Sequence, residues 1–321
     1  EETIRLSQAA WNEYMHFADI VGADVDFRRI GYMNLVTRRV QDEALREIEL
    51  QKKLGVPIEE LDPHEAKSLA PILNIEDISF AAYCRQDGYI DPHAAMQGYV
   101  HAAKAQGAEF CERVQATGIR LVNDRVVGVE TTDGYIDSPI VVNSGGARAK
   151  EIASWVGLDL PITNYRRHIF VTEASDLLPQ GAPFVMDLEA EWYFRREGAG
   201  ILMGMGREES QSFEPQFEWE FLETMTAHAV HRAPALAETK FIRGWAGLRA
   251  LTPDDLPVIG EAPNRRGFYN NCGWGGHGVM HGPIGGILTA EIIAGGRAKT
   301  MDASPFRVER FPARVESATH G

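Results

Sequence analysis

Two stretches of this chain share one grammar and stand far apart. "PIVVNSGGARAKEIASWVG" (139–157) and "GFYNNCGWGGHGVMHGPIGGILTAEIIAG" (267–295) each read as an apolar strand, a glycine turn and a helix. Such units build α/β sheets, in which parallel strands are joined through crossover helices. Residues 158–266 lie between them and carry strand patterning rather than a third such unit. A chain written this way is expected to fold as an α/β, Rossmann-like domain interrupted by an antiparallel β-sheet domain. The expected division gives 1–21, 87–160 and 240–321 to the first and 22–86 and 161–239 to the second.

Local signals fill in the elements. Ile4, Ala10, Trp11, Tyr14 and Phe17 recur at helical spacing over 3–21. Strands are expected at 30–38, 78–84, 165–173, 191–197 and 200–206. A charged helix over 41–55 ends on a glycine. Asp62-Pro63 and Asp91-Pro92 each place a capping side chain before a proline at the first helical position. Between 110 and 142, "NDR" and "TDG" supply hairpin turns. A helix over 217–236, strand and turn over 241–263, and a last helix over 278–294 complete the chain.

With 32 basic against 46 acidic residues, the net charge is −14, which argues against a nucleic-acid or anionic-membrane surface. Cys84, Cys111 and Cys272 are an odd number without a C-x-x-C pair, so a reducing, cytoplasmic compartment is expected. No apolar run is long enough to span a bilayer. The opening "EETIRLSQAAWNEY" enters helical periodicity at once and reads as the interior of a longer polypeptide.

Gly273, Gly275 and Gly278 spell a G-x-G-x-x-G turn. In a dinucleotide fingerprint an acidic residue about 20 positions on binds a ribose. Glu291 is near that spacing but falls on the expected helix. Two readings stay open: a tight turn before a packed helix, or backbone amides at a helix N-terminus facing an electron-rich ligand. His277 and His281 stand four apart without further metal ligands nearby, so no metal site is expected.

The ordered motifs "GLRALTPDDLPVIGEAP" and "NNCGWGGHGVMHGP", with "DGYIDPHAAMQGYV", "VVNSGGARAKEIASWVG" and "YFRREGAGILMG", resemble the FAD-dependent D-amino-acid oxidase superfamily. The branch is that of glycine oxidase, sarcosine oxidase and dimethylglycine dehydrogenase. The resemblance spans nearly the whole chain and implies FAD as cofactor. It implies oxidation of the C–N bond of a small amine or amino acid (glycine, sarcosine, dimethylglycine, proline or a D-amino acid) by hydride transfer to flavin N5. O2 or another acceptor then takes the electrons, and the assembly is left open between homo- and hetero-oligomer.

By the same resemblance, Gly273, Trp274, Gly275, Gly276, His277, Gly278, Val279 and Met280 wrap the flavin ring. Val114 contacts the adenine, and Ser144, Gly145 and Gly146 form a turn beside the cofactor. Arg249 pairs with a substrate carboxylate; its alternative is an ion pair with Asp254 or Asp255. Tyr193, with Trp192, either roofs the pocket or packs in a core. His277 sits near the flavin and His281 is structural. The family's N-terminal βαβ unit, with its own pyrophosphate turn, has no counterpart in these residues; if it is absent from the protein, the alternative is a flavin-free, non-catalytic subunit.

Overall fold

The computed structural model describes residues 1–206 and 211–312. Helix α1 (Glu2–Met15) turns Leu6, Ala10 and Tyr14 inward, a spacing of four that keeps them on one face. The single helix expected over 3–21 is in fact two. His16 leaves helical geometry at φ −111° and ψ 18°, its amide and ring Nδ1 both reaching the Asn12 carbonyl at 3.2 and 2.9 Å, and α2 (Phe17–Val21) starts afresh.

Strand β1 (Tyr32–Thr37), helix α3 (Gln41–Lys53), strand β2 (Ile58–Leu61), helix α4 (Pro63–Leu69) and strand β3 (Ile78–Cys84) follow. Asp62 caps α4 in a reciprocal box with Glu65. Helix α5 (Pro92–Ala105) is capped by Asp91, whose carboxylate accepts from the amides of His93 and Ala94. Strands β4 (Ala116–Val122), β5 (Arg125–Thr131) and β6 (Gly134–Asp137) form a meander. Its first turn has positive φ at both Asn123 and Asp124, the geometry that matches strand twist. Strand β7 (Val141–Asn143) and helix α6 (Ala149–Ser154) come next, then strands β8 (Thr163–Thr172), β9 (Phe184–Asp187), β10 (Trp192–Glu197) and β11 (Gly200–Met205). Helix α7 (Glu220–Arg232) ends well before 236, because Pro234 lacks the amide a continuing helix needs. Strands β12 (Phe241–Leu251), β13 (Val258–Glu261) and β14 (Phe268–Cys272) lead to helix α8 (Gly278–Gly295).

The chain forms two compact units. One comprises Asp24–Ala95 and Arg166–Leu248; the other comprises Glu2–Ala23, Met96–Tyr165 and the residues from Arg249 on. The first is built on an eight-stranded sheet of order β12-β8-β11-β10-β9-β1-β3-β2, in which β1 and β9 are parallel. Period-two alternation sends Trp192 and Phe194 into a core with Met33, Leu35, Phe170 and Val185, over which Met225 and Ala229 of α7 pack. Edge strand β2 shows Glu59 and Glu60 to solvent, paired with Arg85 and Lys52, which discourages further strand addition.

The second unit contains a sheet of order β13-β14-β7, with β14 and β7 parallel and Asn270 opposite Asn143. Helices α1 and α8 close one core through Leu6, Ala10, Ile284 and Leu288. Among the described residues no helix is long and apolar enough to cross a membrane.

The first unit is tied by one buried cation. Arg232 is 2% exposed and donates to Asp187 at 2.7 Å, to both Asp77 oxygens at 2.6 and 3.0 Å, and to the Asn74 carbonyl at 2.9 Å. Those bonds hold the Asp77 carboxyl below its ordinary value, so its contribution is present at neutral pH and lost as pH falls through that lowered value. Arg232→Met leaves Asp187 buried without its cation and is expected to cost about 3–5 kcal/mol in urea unfolding; a loss below about 1 kcal/mol would contradict this account.

Candidate active site

Strand β14 delivers the chain into a bend that only glycine makes easily: φ is 73° at Gly273 and 55° at Gly275. The bend is held from several sides. The Gly275 amide donates to the Ala250 carbonyl at 2.9 Å, and the His277 amide donates to the Trp274 carbonyl at 2.9 Å. The Trp274 indole N–H donates to Asn271 Oδ1 at 2.9 Å. Its ring lies on Gly285 of α8, where a Cβ would come within 2.4 Å of the indole.

Gly276 lies against Arg249. A Cβ at Gly276 would stand 3.0 Å from the guanidinium carbon. Helix α8 starts immediately afterwards, and no side chain caps it. Among the described residues the amides of Gly278, Val279 and Met280 find no backbone acceptor, so the positive end of an 18-residue helix is open at this bend. Val279 and Met280 are exposed there, and the Tyr14 hydroxyl donates to the Val279 carbonyl.

Arg249 is half-buried, and among the described residues no carboxylate pairs with it. The alternative partner Asp254 is engaged elsewhere, bonding Arg310 at 2.8 and 3.2 Å, the Thr252 hydroxyl and the Leu256 amide. Burial alone would raise the Asp254 pKa, but Arg310 and the other donors outweigh it and hold it below the ordinary value. His277, next to Gly276, keeps an exposed surface, yet the protein packed against its ring and the Arg249 charge push it below the usual imidazole range, with Asp255 opposing. His281 is buried and pushed down to about 4 by burial and by His277.

The second glycine turn follows β7. Ser144 is exposed, and Gly145 packs so closely that a Cβ would meet Ile152 at 2.4 Å. Gly146 has φ 54° with open space beside it. The two turns leave the same, carboxyl ends of parallel neighbours, where open α/β sheets bind ligands. Asn143 and Asn270 join them: Asn143 Nδ2 donates to Asn270 Oδ1 at 3.2 Å and to the Ala149 carbonyl at 2.9 Å, and the Gly145 amide donates to Asn143 Oδ1 at 3.2 Å. Asn270 Nδ2 is buried and has no acceptor among the described residues. The pair leaves only a faint mark in the sequence, an asparagine in each apolar strand ahead of its glycine turn.

Val114 is half-buried in the loop before β4. Tyr193 belongs to the first unit, where it stacks on Phe184 at 5.4 Å, and Phe184 stacks on Tyr32 at 4.5 Å. Gly204, its cross-strand partner, leaves room for its hydroxyl. Trp192 is a core residue. Glu291 accepts from the amides of Lys299 and Thr300 at 2.7 and 3.0 Å and from the Thr300 hydroxyl at 2.8 Å. Those bonds occupy its carboxylate, so the ribose role weighed for it finds no support. A cleft of about 360 Å³ in the first unit is lined by Arg39, Asp77, Glu189, His231 and Arg232, but these charges already pair among themselves. Among the described residues no cluster suits a metal ion.

Comparison with known proteins places these features in context. A family model described as FAD dependent oxidoreductase matches residues 1–292. Mitochondrial sarcosine dehydrogenase from Homo sapiens is 33% identical over 85% of this chain, and the chain spans 31% of that relative's length. Sarcosine oxidase subunit beta from Arthrobacter sp is 30% identical over 93% of this chain and 74% of its own length. The crystal structure of L-proline dehydrogenase from P. horikoshii superimposes with a TM-score of 0.87 at 30% identity, covering 95% of this chain and 83% of that one.

The close seating of Trp274 makes a direct test of the bend. Gly285→Ala forces a methyl into the indole and is expected to cost about 1–3 kcal/mol in urea unfolding, whereas Gly286→Ala, whose Cβ would meet nothing, is expected to be neutral or mildly stabilising.

Proposed function

Since this chain belongs to the FAD dependent oxidoreductase family, we propose that it oxidises the C–N bond of a small amino acid whose carboxylate docks on Arg249. The observation that carries this reading is the guanidinium itself. It is half-buried, has no carboxylate partner among the described residues, and lies against a glycine at the open end of a helix. A planar fork suits a carboxylate bidentately, and leaving such a group unpaired in a partly buried site is costly unless a ligand uses it.

The residues suit FAD as well. Bare glycines let a flat ring approach backbone closely, and uncapped amides at α8 favour electron density on whatever faces them. Asn270 Nδ2 is a buried donor in want of an acceptor. In this reading Gly273, Trp274, Gly275, Gly276, His277, Gly278, Val279 and Met280 face the flavin, while Ser144, Gly145, Gly146 and Val114 serve its other parts. Bound there, FAD supplies the two-electron oxidation; the chain supplies anchorage and orientation. Tyr193, stacked on Phe184 in the first unit, is assigned to the substrate by the family resemblance.

Relatives at 30% identity or above are named for sarcosine and L-proline, both secondary amino acids, and this favours a secondary over a primary amine here. The name subunit beta of one relative supports a hetero-oligomer as the working assembly, with O2 or a partner protein as electron acceptor.

The test is flavin loading and turnover of the full-length protein. Sarcosine or L-proline is expected to bleach the flavin bands anaerobically, and a protein that never carries flavin would sink the reading in favour of a non-catalytic subunit. Arg249→Ala is expected to lower kcat/KM roughly 30- to 150-fold, equivalent to about 2–3 kcal/mol of lost charge-assisted bonding, while flavin content stays unchanged.

A further inference from the structure

His281 has no place in the carboxylate anchor or the glycine bend, yet it is 2% exposed and held on several sides. Its Nε2 lies 2.9 Å from the Ser7 hydroxyl of α1. That hydroxyl already donates its only hydrogen to the Thr3 carbonyl at 2.9 Å, so it accepts from His281, which fixes the Nε2–H tautomer. On its other side the His281 ring stacks on His277, with centroids 5.4 Å apart and planes 22° apart. The helix enforces this stack, because the His281 amide donates to the His277 carbonyl at 2.8 Å and residues four apart share a face. Trp274 closes a third side at 6.1 Å. A chain of contacts thus runs from the Thr3 carbonyl through Ser7 and His281 to the imidazole beside Arg249.

We propose that His281 is the positioning residue for His277: pinned to α1 through Ser7, its ring backs the His277 imidazole so that His277 presents a neutral acceptor nitrogen to the amine of a substrate anchored on Arg249. This rests on the amino-acid reading given above. A neutral imidazole has one acceptor lone pair; a protonated one has none and adds a second cation beside Arg249, where an amine must enter. The charged groups facing His277 are Arg249 from β12 and Asp255 from the turn after it, and His281 faces it from α8. Arg249 and the protein packed against one face of the otherwise exposed ring disfavour the charged form and Asp255 favours it, so the His281 ring on that face helps to decide the balance.

The sign follows from this arrangement. His277 is active when neutral, so kcat/KM falls on the acid side as pH drops through its pKa. Removing the backing admits water under the ring, raises that pKa and moves the acid limb to higher pH.

The experiment is an NMR titration of the histidine ring signals in the full-length protein, with the kcat/KM pH profile beside it. His281→Ala is expected to raise the His277 midpoint by about 0.5 pH or more and to move the acid limb with it. His281→Phe, which keeps a flat ring in place, is expected to leave both near the wild-type position. Should His281→Ala not fold, Ser7→Ala removes only the anchor and is expected to give a smaller rise. An unchanged midpoint in His281→Ala, or in Ser7→Ala where it stands in, overturns the proposal, as does an equal rise in His281→Phe. The ring titration needs no turnover, so its failure is separable from a failure of the wild-type protein to oxidise an amine.

Discussion

The second unit depends on the parallel pairing of β7 and β14, two short strands brought side by side from distant parts of the chain. At their carboxyl ends the pairing is completed by Asn143 and Asn270, both essentially buried. A buried amide that fails to find a partner costs free energy. The Asn143 side chain meets this constraint by spanning three structures at once: its own glycine turn, the start of α6 and the neighbouring strand. The register Asn270 opposite Asn143 is therefore specified by polar satisfaction as well as by the apolar residues around it. Once this register is set, two glycine turns open at the same edge.

The glycines at these turns differ in physical meaning. Gly273 and Gly275 provide backbone angles that other residues reach only under strain. Gly276 and Gly285 provide absence of volume, the first beside a guanidinium and the second under an indole. A G-x-G-x-x-G spelling cannot separate these uses. It matches Gly278, whose Cβ would meet only ordinary contact at 3.5 Å, and it passes over Gly276, where the contact with Arg249 is tightest. The match is thus partly one of spelling, and the physical content lies in close approach and in the open end of α8.

Much of the architecture was legible because its signals are local. Asp62-Pro63 and Asp91-Pro92 set helix starts through bonds made within three residues, and "ISFAAYC" is a strand from first residue to last. The elements missed were those whose cause is distant. Strand β9 is four residues, "FVMD", and exists because β1 and β10 flank it. Strand β2, "IEEL", is an edge written in charge and needs β3 to reveal it. The break at His16 is one of backbone angle, which periodicity does not register. For the candidate site, Arg249 and the glycine bend could be named from their order along the chain. The engagement of Asp254 by Arg310, 56 positions away, could not; nor could the bond from Ser7 to His281, 274 positions away.

Those two distant bonds shape the electrostatics of the bend in the same direction. Arg310 occupies Asp254, the acidic group nearest in sequence that could have neutralised Arg249. Ser7 occupies His281 and leaves it buried and neutral, since its pKa is pushed down to about 4. An isolated guanidinium beside uncapped helix amides is a costly arrangement for a folded chain to keep. Arg310 removes the nearest of the acidic competitors, and the proposed reading gives Arg249 an anion from outside the chain as its complement. In that reading, a neutral imidazole beside a fixed cation accepts a hydrogen bond without adding charge, which assigns a substrate carboxylate to Arg249 and its nitrogen to His277.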